Sequence, residues 1–464
     1  MKIVIAGAGE VGSHLAKMLS SGSNEITVID THTERLNYLS YLTDIIAVEG
    51  IPSSVDVLRK AGVAEADLFI AVYPSESQDV NIVSAILAKQ LGAKKVTARI
   101  NNEEDFKPEN KIIFTEMGID KLFYPEKDAS KEIIDRLTHT AAADSMDFAK
   151  GKLQMEAFKI DEDSPIIDMS IKELAQSTMS REQFRVIAIT RGNETIIPNV
   201  DSRFKCNDRI FIISTREGIE ALMPVVGKND TPVRNVMIMG GSHIAEMVAK
   251  ELLKKKEPIK IKIIEKDKAR CSALAEILPD KVMIINGDGR DSNLLVEESI
   301  SSFDAFIALT GSSETNILAC VAAKKNGVVK TIAQVENIEY ISLADGMGVD
   351  AVVNKKLTTA GLIFKFTLSD KAKFVRYMSG RTNAEIVEFI VDKDSRITKA
   401  PLKSIDFPKD SIIGGIIRGT ESFIAVGDTQ IKPFDKVVVF ALPNSVKEVD
   451  EWFKTKKSGN QQNQ

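Results

Sequence analysis

The sequence predicts an α/β protein made by tandem duplication, in which a Rossmann-like domain with a doubly wound parallel sheet is followed by a small strand-rich α+β domain. Three observations lead to this fold class. Short apolar runs alternate with amphipathic helical patterns, a glycine-rich loop joins the first such run to the first helix, and four blocks of sequence recur in the second half in the same order.

The elements of the first half follow this alternation. Strands are predicted over KIVIA, EITVID, IIAVE, DLFIAV and KVTARI, and apolar residues at helical spacing mark the first helix: Val11, Leu15, Met18 and Leu19. Short links between strand and helix favour a parallel sheet with helices on both faces. The segment EKDASKEIIDRLTHTAAA predicts a helix that leads out of the sheet, and a short strand-rich part then ends in DRIFII.

The duplication sets the predicted domain boundaries. It pairs Gly7 with Gly240, Asn81 with Asn316, Ser164 with Ser395, and Asp208 with Asp435. We expect five segments: a Rossmann-like nucleotide-binding domain over 1–125, a linker helix and small domain over 126–228, a second Rossmann-like domain over 232–355, a second linker helix and small domain over 356–455, and a disordered polar tail over 456–464.

Composition limits the class of protein. The 464 residues are 44% hydrophobic and 27% charged, as in globular proteins, and the net charge of −5 argues against nucleic acid as a partner. No apolar run approaches the roughly 20 residues that cross a bilayer. The isolated Cys206, Cys271 and Cys320 argue against disulfides and a metal site and favour a reducing cytoplasm.

The stretch IVIAGAGEVG carries the pattern G-x-G-x-x-G at Gly7, Gly9 and Gly12. In such a loop the first glycine permits a tight turn, the second lets a pyrophosphate approach the backbone, and the third lets the helix pack on the strand. The phosphates then meet free N–H groups at the helix N-terminus. Asp30 ends the next strand and predicts contacts with ribose hydroxyls; the alternative is that Asp30 caps the following helix.

The second copy of the loop differs. It reads Gly240, Gly241, Ser242, His243, Ile244 and Ala245, and Glu265 keeps the acidic residue at the end of the next strand. Because a serine side chain would crowd a pyrophosphate, ligand binding here stays open. His243 either faces a phosphate or simply begins a helix.

Arg99 ends the strand KVTAR, at the edge where open parallel sheets bind ligands. This position predicts a phosphate contact, with a surface ion pair as the alternative. Gln334 replaces Arg99 in the second half, so the first half is predicted to be the tighter anion site.

The sequence favours a sensor over an enzyme, with no catalytic residues assigned. The four histidines are His14, His32, His139 and His243, and none has an evident orienting carboxylate. The motifs G-K-[ST], G-x-S-x-G and H-E-x-x-H are absent. A soluble NAD-dependent oxidoreductase and a nucleotide sensor for a different cation transporter remain the alternatives.

Taken together, IVIAGAGEVG, Asp30, ADLFIAV, DVNIVSAILAKQLGAKKVTARI and DSPIIDMSIKEL resemble a unit of the regulator-of-potassium-conductance (RCK) family. Two units in tandem, over about residues 1–450, are similar to regulatory subunits of bacterial Trk potassium uptake. The resemblance implies a homo-oligomer that is cytoplasmic and peripheral on the inner face of the cell membrane. It also implies a partner, the membrane potassium-translocating subunit of the Trk type, whose gate responds to NAD(H) and ATP/ADP.

The resemblance also assigns roles by position. It implies a phosphate loop at Gly7, Ala8, Gly9, Glu10 and Val11, a ribose ligand at Asp30, ligand-flanking residues at Tyr73 and Pro74, and a phosphate contact at Arg99. The sequence departs from the family at Tyr73, where a small polar residue is common, and at Gly50-Ile51, where Gly-Asp is common. The second half keeps Gly-Asp as Gly287-Asp288.

Overall fold

A computed structural model describes residues 1–20, 24–73, 78–148, 151–177, 183–192, 194–368, 372–377 and 384–455. The predicted tail over 456–464 lies outside them. The chain forms two compact units: unit 1 contains residues 1–129 and 355–367, and unit 2 contains residues 130–354 and the described residues from Leu368 onward. Within the described residues, no helix is both long and apolar enough to cross a membrane.

Unit 1 is built on a six-stranded parallel sheet with the order β3-β2-β1-β4-β5-β6. Its elements are β1 (Lys2–Ala6), α1 (Glu10–Ser20), β2 (Glu25–Asp30), α2 (Thr33–Leu42), β3 (Ile46–Glu49), α3 (Val55–Lys60), β4 (Leu68–Ala71), α4 (Gln78–Leu91), β5 (Lys95–Arg99), α5 (Pro108–Glu116) and β6 (Lys121–Phe123). All four residues of β4 are buried, as expected for a central parallel strand. The strand order reverses between β1 and β4, so a crevice is expected at their carboxyl ends.

The first small domain follows in unit 2, as a five-stranded antiparallel sheet with the order β10-β9-β11-β8-β7. Its elements are β7 (Asp144–Phe148), β8 (Leu153–Lys159), α7 (Ile171–Ser177), β9 (Phe184–Arg191), β10 (Glu194–Ile196), β11 (Arg209–Ser214) and α8 (Arg216–Leu222). The buried Asp208 accepts two hydrogen bonds from Arg191, at 2.7 and 2.8 Å, which join the end of β9 to the turn before β11.

The second parallel sheet has the order β14-β13-β12-β15-β16-β17 and so repeats the first strand for strand. Its elements are β12 (Asn235–Met239), α9 (His243–Leu252), β13 (Lys260–Glu265), α10 (Lys268–Ile277), β14 (Val282–Asn286), α11 (Ser292–Glu297), β15 (Ala305–Ala308), α12 (Ser313–Lys325), β16 (Lys330–Gln334), α13 (Glu339–Gly346) and β17 (Ala351–Val353). The predicted fold class and its duplication are confirmed.

The second small domain contains a sheet with the order β18-β19-β22-β20-β21. Its elements are β18 (Ala372–Tyr377), β19 (Glu385–Ile390), β20 (Ser411–Arg418), β21 (Glu421–Ile424), β22 (Lys436–Ala441) and α15 (Val446–Phe453). Asp435 binds Arg418 as Asp208 binds its arginine, at 2.7 and 2.9 Å. The two small domains share one hydrophobic core, in which Phe211 and Phe440 are both fully buried.

The linker helices α6 (Pro125–Thr138) and α14 (Lys355–Phe364) are placed differently: α14 belongs to unit 1 with the first parallel sheet, whereas α6 has Pro125–Ala129 in unit 1 and its remaining residues in unit 2. In unit 1, α14 packs against α1. Most of α6 belongs to unit 2, where Lys255 Nζ donates to Thr138 Oγ1 at 3.0 Å. The prediction that α6 runs through the segment THTAAA is wrong, because the helix ends at Thr138 and β7 begins at Asp144.

Candidate functional site

The glycine loop between β1 and α1 is fixed by two steric requirements. Gly7 has φ +115°, and a Cβ there would lie 2.9 Å from the Tyr73 backbone nitrogen. A Cβ at Gly12 would lie 1.8 Å from the Gly7 carbonyl oxygen, so α1 could not approach β1 as closely. Gly9 is different, since a Cβ there would meet no heavy atom within 4 Å. Gly9 therefore borders open space.

The N-terminus of α1 opens onto the same space. The helix begins at Glu10, so the residue before it, Gly9, has no side chain with which to cap the first-turn N–H groups. The Glu10 side chain is 69% exposed and lies 3.7 Å from Lys356 Nζ, while Val11 is buried. A helix N-terminus of this kind attracts an anion through its N–H groups and its dipole.

Asp30, at the end of β2, forms a hydrogen bond with the glycine loop. Its fully buried carboxylate accepts the Ala8 N–H at 2.6 Å through Oδ2 and the His32 N–H at 2.8 Å through Oδ1. The His32 Nδ1 also lies 2.9 Å from Oδ1. The Asp30–His32 hydrogen bond forms a local turn before α2, whose N-cap residue is His32 and which has no side-chain capping hydrogen bond. The capping alternative is therefore not seen, and the ribose contact of Asp30 stays a prediction.

The prediction that no histidine has an orienting carboxylate is wrong for His32 and His139, each of which lies within hydrogen-bond distance of one. His32 lies against Asp30, and His139 Nδ1 lies 2.9 Å from Glu156 Oε1. The sequence does not reveal these partners, because Glu156 meets His139 only through a tertiary contact and Asp30 meets His32 through a local turn. No described group of three His, Cys, Asp or Glu side chains is arranged to hold a metal ion.

Tyr73 follows β4 and crosses towards the end of β2. Its hydroxyl lies 2.6 Å from Thr31 Oγ1, so the side chain spans the end of β1, which lies between those two strands. The buried Asn81 fixes the Tyr73 backbone by accepting from its N–H at 2.7 Å and donating to its carbonyl at 3.1 Å. Pro74, predicted to flank the ligand with Tyr73, lies outside the described residues.

Arg99 lies at the carboxyl end of β5, as predicted, in an ion pair with Glu126 at 2.8 Å. The ion-pair alternative is therefore present, but the pair is largely buried, with side chains 11% and 15% exposed. Arg99 Nε and Glu126 Oε2 are buried and form no hydrogen bond. The pair thus leaves one buried donor and one buried acceptor without a partner, and the phosphate contact of Arg99 stays a prediction.

The second loop also begins with a glycine at positive φ, but the N-terminus of its helix is capped by a side chain. Ser242 caps α9, its Oγ accepting the Ala245 N–H at 3.3 Å. Glu265 repeats the role of Asp30, since its Oε2 accepts the Gly241 N–H at 2.6 Å. At the other predicted positions of the second half, Gly240 has φ +98°, the His243 side chain is 75% exposed and Ile244 is buried. The Gln334 side chain donates a hydrogen bond to Glu336 at 2.7 Å.

Comparison with known proteins identifies the relatives of this fold. The family model for the TrkA-N domain matches residues 3–125 and 236–355, and the model for the TrkA-C domain matches residues 155–227 and 386–454. The chain is 34% identical to a Trk system potassium uptake protein TrkA homolog of Archaeoglobus fulgidus, over 98% of this chain and 100% of the relative. It is 32% identical to the Trk system potassium uptake protein TrkA of Haemophilus influenzae, over 98% of each.

Among solved structures, the crystal structure of the GsuK RCK domain matches with a TM-score of 0.60 at 16% identity, covering 97% of this chain and 94% of that one. The GsuK channel bound to NAD matches with a TM-score of 0.59 at 16% identity, covering 97% of this chain and 78% of that one. At this identity the likeness concerns the fold.

Proposed function

The chain belongs to the TrkA family, and on that premise we propose that it is a cytoplasmic regulatory subunit that binds a membrane potassium-translocating protein and adjusts its flux to the nucleotide state of the cell. The curated relatives are named as potassium uptake proteins of Trk systems. The observation that carries the nucleotide part is the open helix terminus at Gly9, beside the reversal of strand order.

The ligand class that fits this terminus is a nucleotide with a polyphosphate chain, NAD(H) or ATP/ADP. The first-turn N–H groups of α1 would bind its phosphates, and the missing side chain at Gly9 would allow the backbone approach. The ribose would reach the Asp30 carboxylate only if the His32 ring moved, because that ring covers one oxygen. A carboxylate has about four lone-pair positions, so it can accept a ribose hydroxyl while still holding the Ala8 N–H.

The Arg99–Glu126 pair offers a route from the phosphates to the linker helix. A phosphate that reaches Arg99 would compete with Glu126 for one guanidinium. Glu126 lies in the first turn of α6, the helix that leads out of the first sheet. Nucleotides with different phosphate content would then hold the start of α6 with different strength.

A nucleotide can shift a gate only through its different affinities for the two states of the assembly. A tenfold preference corresponds to about 1.4 kcal/mol per site. A homo-oligomer, which we include in the proposal, adds these contributions over its subunits.

The binding step is tested with Arg99→Gln in calorimetry. We expect the variant to lose about tenfold or more in affinity for ATP, since a charge-assisted phosphate contact is removed, and little for adenosine. Lys94→Gln is the matched control, because it removes the same charge at the opposite end of β5, from a side chain 72% exposed. Equal losses for ATP and adenosine would contradict the assignment of Arg99.

The regulatory step is tested by potassium flux into liposomes that contain the Trk-type membrane subunit, with and without this protein, under each nucleotide. Flux should depend on the added protein and on the nucleotide. Flux unchanged in every nucleotide state would overturn the proposal. Turnover of NADH with candidate substrates would instead favour an oxidoreductase.

A further inference from the structure

A second candidate site lies in unit 2, away from the glycine loops. It is a cavity of about 300 Å³. Its described wall comes from the end of α6, from residues of β7 and β8 with Gly151, from helix α8 and from the junction that precedes the second parallel sheet. This volume is at the lower limit of small-molecule sites in proteins.

The described lining is acidic. It contains four carboxylates and two basic groups: Asp147, Glu156, Glu220, Asp230, His139 and Arg216. Each basic group already has an acidic partner, since His139 lies 2.9 Å from Glu156 and Arg216 Nε donates to Glu220 at 3.2 Å. With both basic groups charged, the described lining itself has a net charge of −2.

Neutral groups donate hydrogen bonds to two of these four carboxylates. Asp147 accepts from the Gln154 side chain at 2.8 Å, and Asp230 accepts the Ala141 N–H at 2.7 Å. Lys330, which is close enough to Asp230 to interact electrostatically, donates its own hydrogen bonds to the carbonyl oxygens of Thr140 and Ala142.

Glu156 supplies an independent indication of a ligand. Its side chain is 1% exposed, and its Oε2 is buried without a hydrogen-bond partner. A buried carboxylate oxygen without a donor is costly, and native proteins rarely leave one unsatisfied. A donor that enters the cavity would satisfy it.

The chemistry of the lining selects the donor. No described set of three acidic or histidine side chains is close enough to hold a metal ion, so the carboxylates suit separated positive groups better than one compact ion. Ile219 and Met223 add an apolar section to the wall. We propose that this cavity binds a small organic dication of the diamine class, with one ammonium group at Glu156 and the other towards Glu220 or Asp230.

Such a ligand would hold the end of the linker helix, the first small domain and the junction together. The site shares no residue with the glycine loops. Diamine binding can be measured without any nucleotide, so either proposal can fail without the other.

Calorimetry on the full chain with 1,4-diaminobutane tests the proposal. We expect saturable binding, at least about tenfold weaker binding of 1-aminobutane, and a loss of about tenfold or more in Glu156→Gln, since one charge-assisted hydrogen bond is removed. Because Glu156→Gln also breaks a buried pair, Glu220→Gln serves as the second variant, with a smaller loss. Glu217→Gln is its matched control, being a glutamate on the same helix outside the cavity.

Three results would overturn the proposal. The first is that the diamine does not bind to the wild-type chain. The second is that Glu220→Gln and Glu217→Gln bind the diamine with equal affinity while folded Glu156→Gln binds it as tightly as the wild type, and the third is that Mg²⁺ or K⁺ displaces the diamine at equal concentration.

Discussion

Replacing Gly9 by valine separates the two functions of the glycine loop. Gly7 and Gly12 shape the fold, because a Cβ at either would meet backbone atoms, whereas a side chain at Gly9 enters open space. The folded state of Gly9→Val should therefore lose little stability, at most about 1 kcal/mol from the less favourable residue before α1. Gly12→Ala should cost about 1–3 kcal/mol or more through overpacking.

The expected loss of binding follows from the same geometry. The valine side chain would occupy the position through which a pyrophosphate reaches the first turn of α1. If two hydrogen bonds to charged phosphate oxygens are lost, at about 1.5–3 kcal/mol each, the affinity falls by about 10²- to 10⁴-fold. Gly311→Val is the matched control, since a Cβ at Gly311 also meets nothing within 4 Å but lies in the second half.

Calorimetry with ADP and NADH, together with thermal melting, measures both quantities on each variant. The reasoning is refuted if folded Gly9→Val binds both nucleotides as tightly as the wild type. It is equally refuted if Gly311→Val, and not Gly9→Val, abolishes binding.

Three further predictions concern other parts of the site. Asp30→Asn should lower the stability of the nucleotide-free protein by about 1–3 kcal/mol, because one backbone N–H loses its acceptor; an unchanged melting temperature would show that Asp30 does not hold the loop. Ser242→Gly removes the cap of α9 and should raise the nucleotide stoichiometry measured by calorimetry above that of the wild type; an unchanged stoichiometry would contradict the idea that this cap closes the second site. Burial, with the nearby charges of Lys356 and Lys17, lowers the pKa of His14 from 6.5 to about 4, so the folded state takes up fewer protons than the unfolded chain between these values. The contribution of His14 to stability should therefore fall by about 3 kcal/mol as the pH drops from 6.5 to 4, measured at each pH as the difference in denaturant-derived stability between the wild type and His14→Gln. A wild-type His14 imidazole that titrates near 6.5 by NMR would disprove it.

The sequence pattern predicts the strands, the helices and the repeat, but it does not predict which residues the charged side chains contact. Glycine spacing and apolar periodicity are local, so they located the loop, the strands and the repeat. Arg99 was placed correctly at a strand end, but Glu126 lies 27 residues later on a helix whose direction no local pattern defines. The sequence repeat aligns Asn81 with Asn316. Their role, which is to fix the backbone that follows the strand before each of them, depends on backbone geometry and cannot be predicted from the sequence.

The end of α6 shows a second limit. The segment THTAAA has helical composition, but the Ala143 N–H bonds to the Ala157 carbonyl and its own carbonyl accepts from Arg136, so tertiary pairing decides where the helix stops. Intrinsic helix propensity is too weak, at less than about 1 kcal/mol per residue, to outweigh such contacts.

The position of α14 ties the first half of the chain to the second, since this helix of the second half belongs to the unit that contains the first parallel sheet. The first half is therefore not a portable module: a fragment ending after the first small domain would leave uncovered the face of α1 that α14 packs against. This contact gives the second half a part in the first fold that does not depend on the ligand chemistry of its own glycine loop.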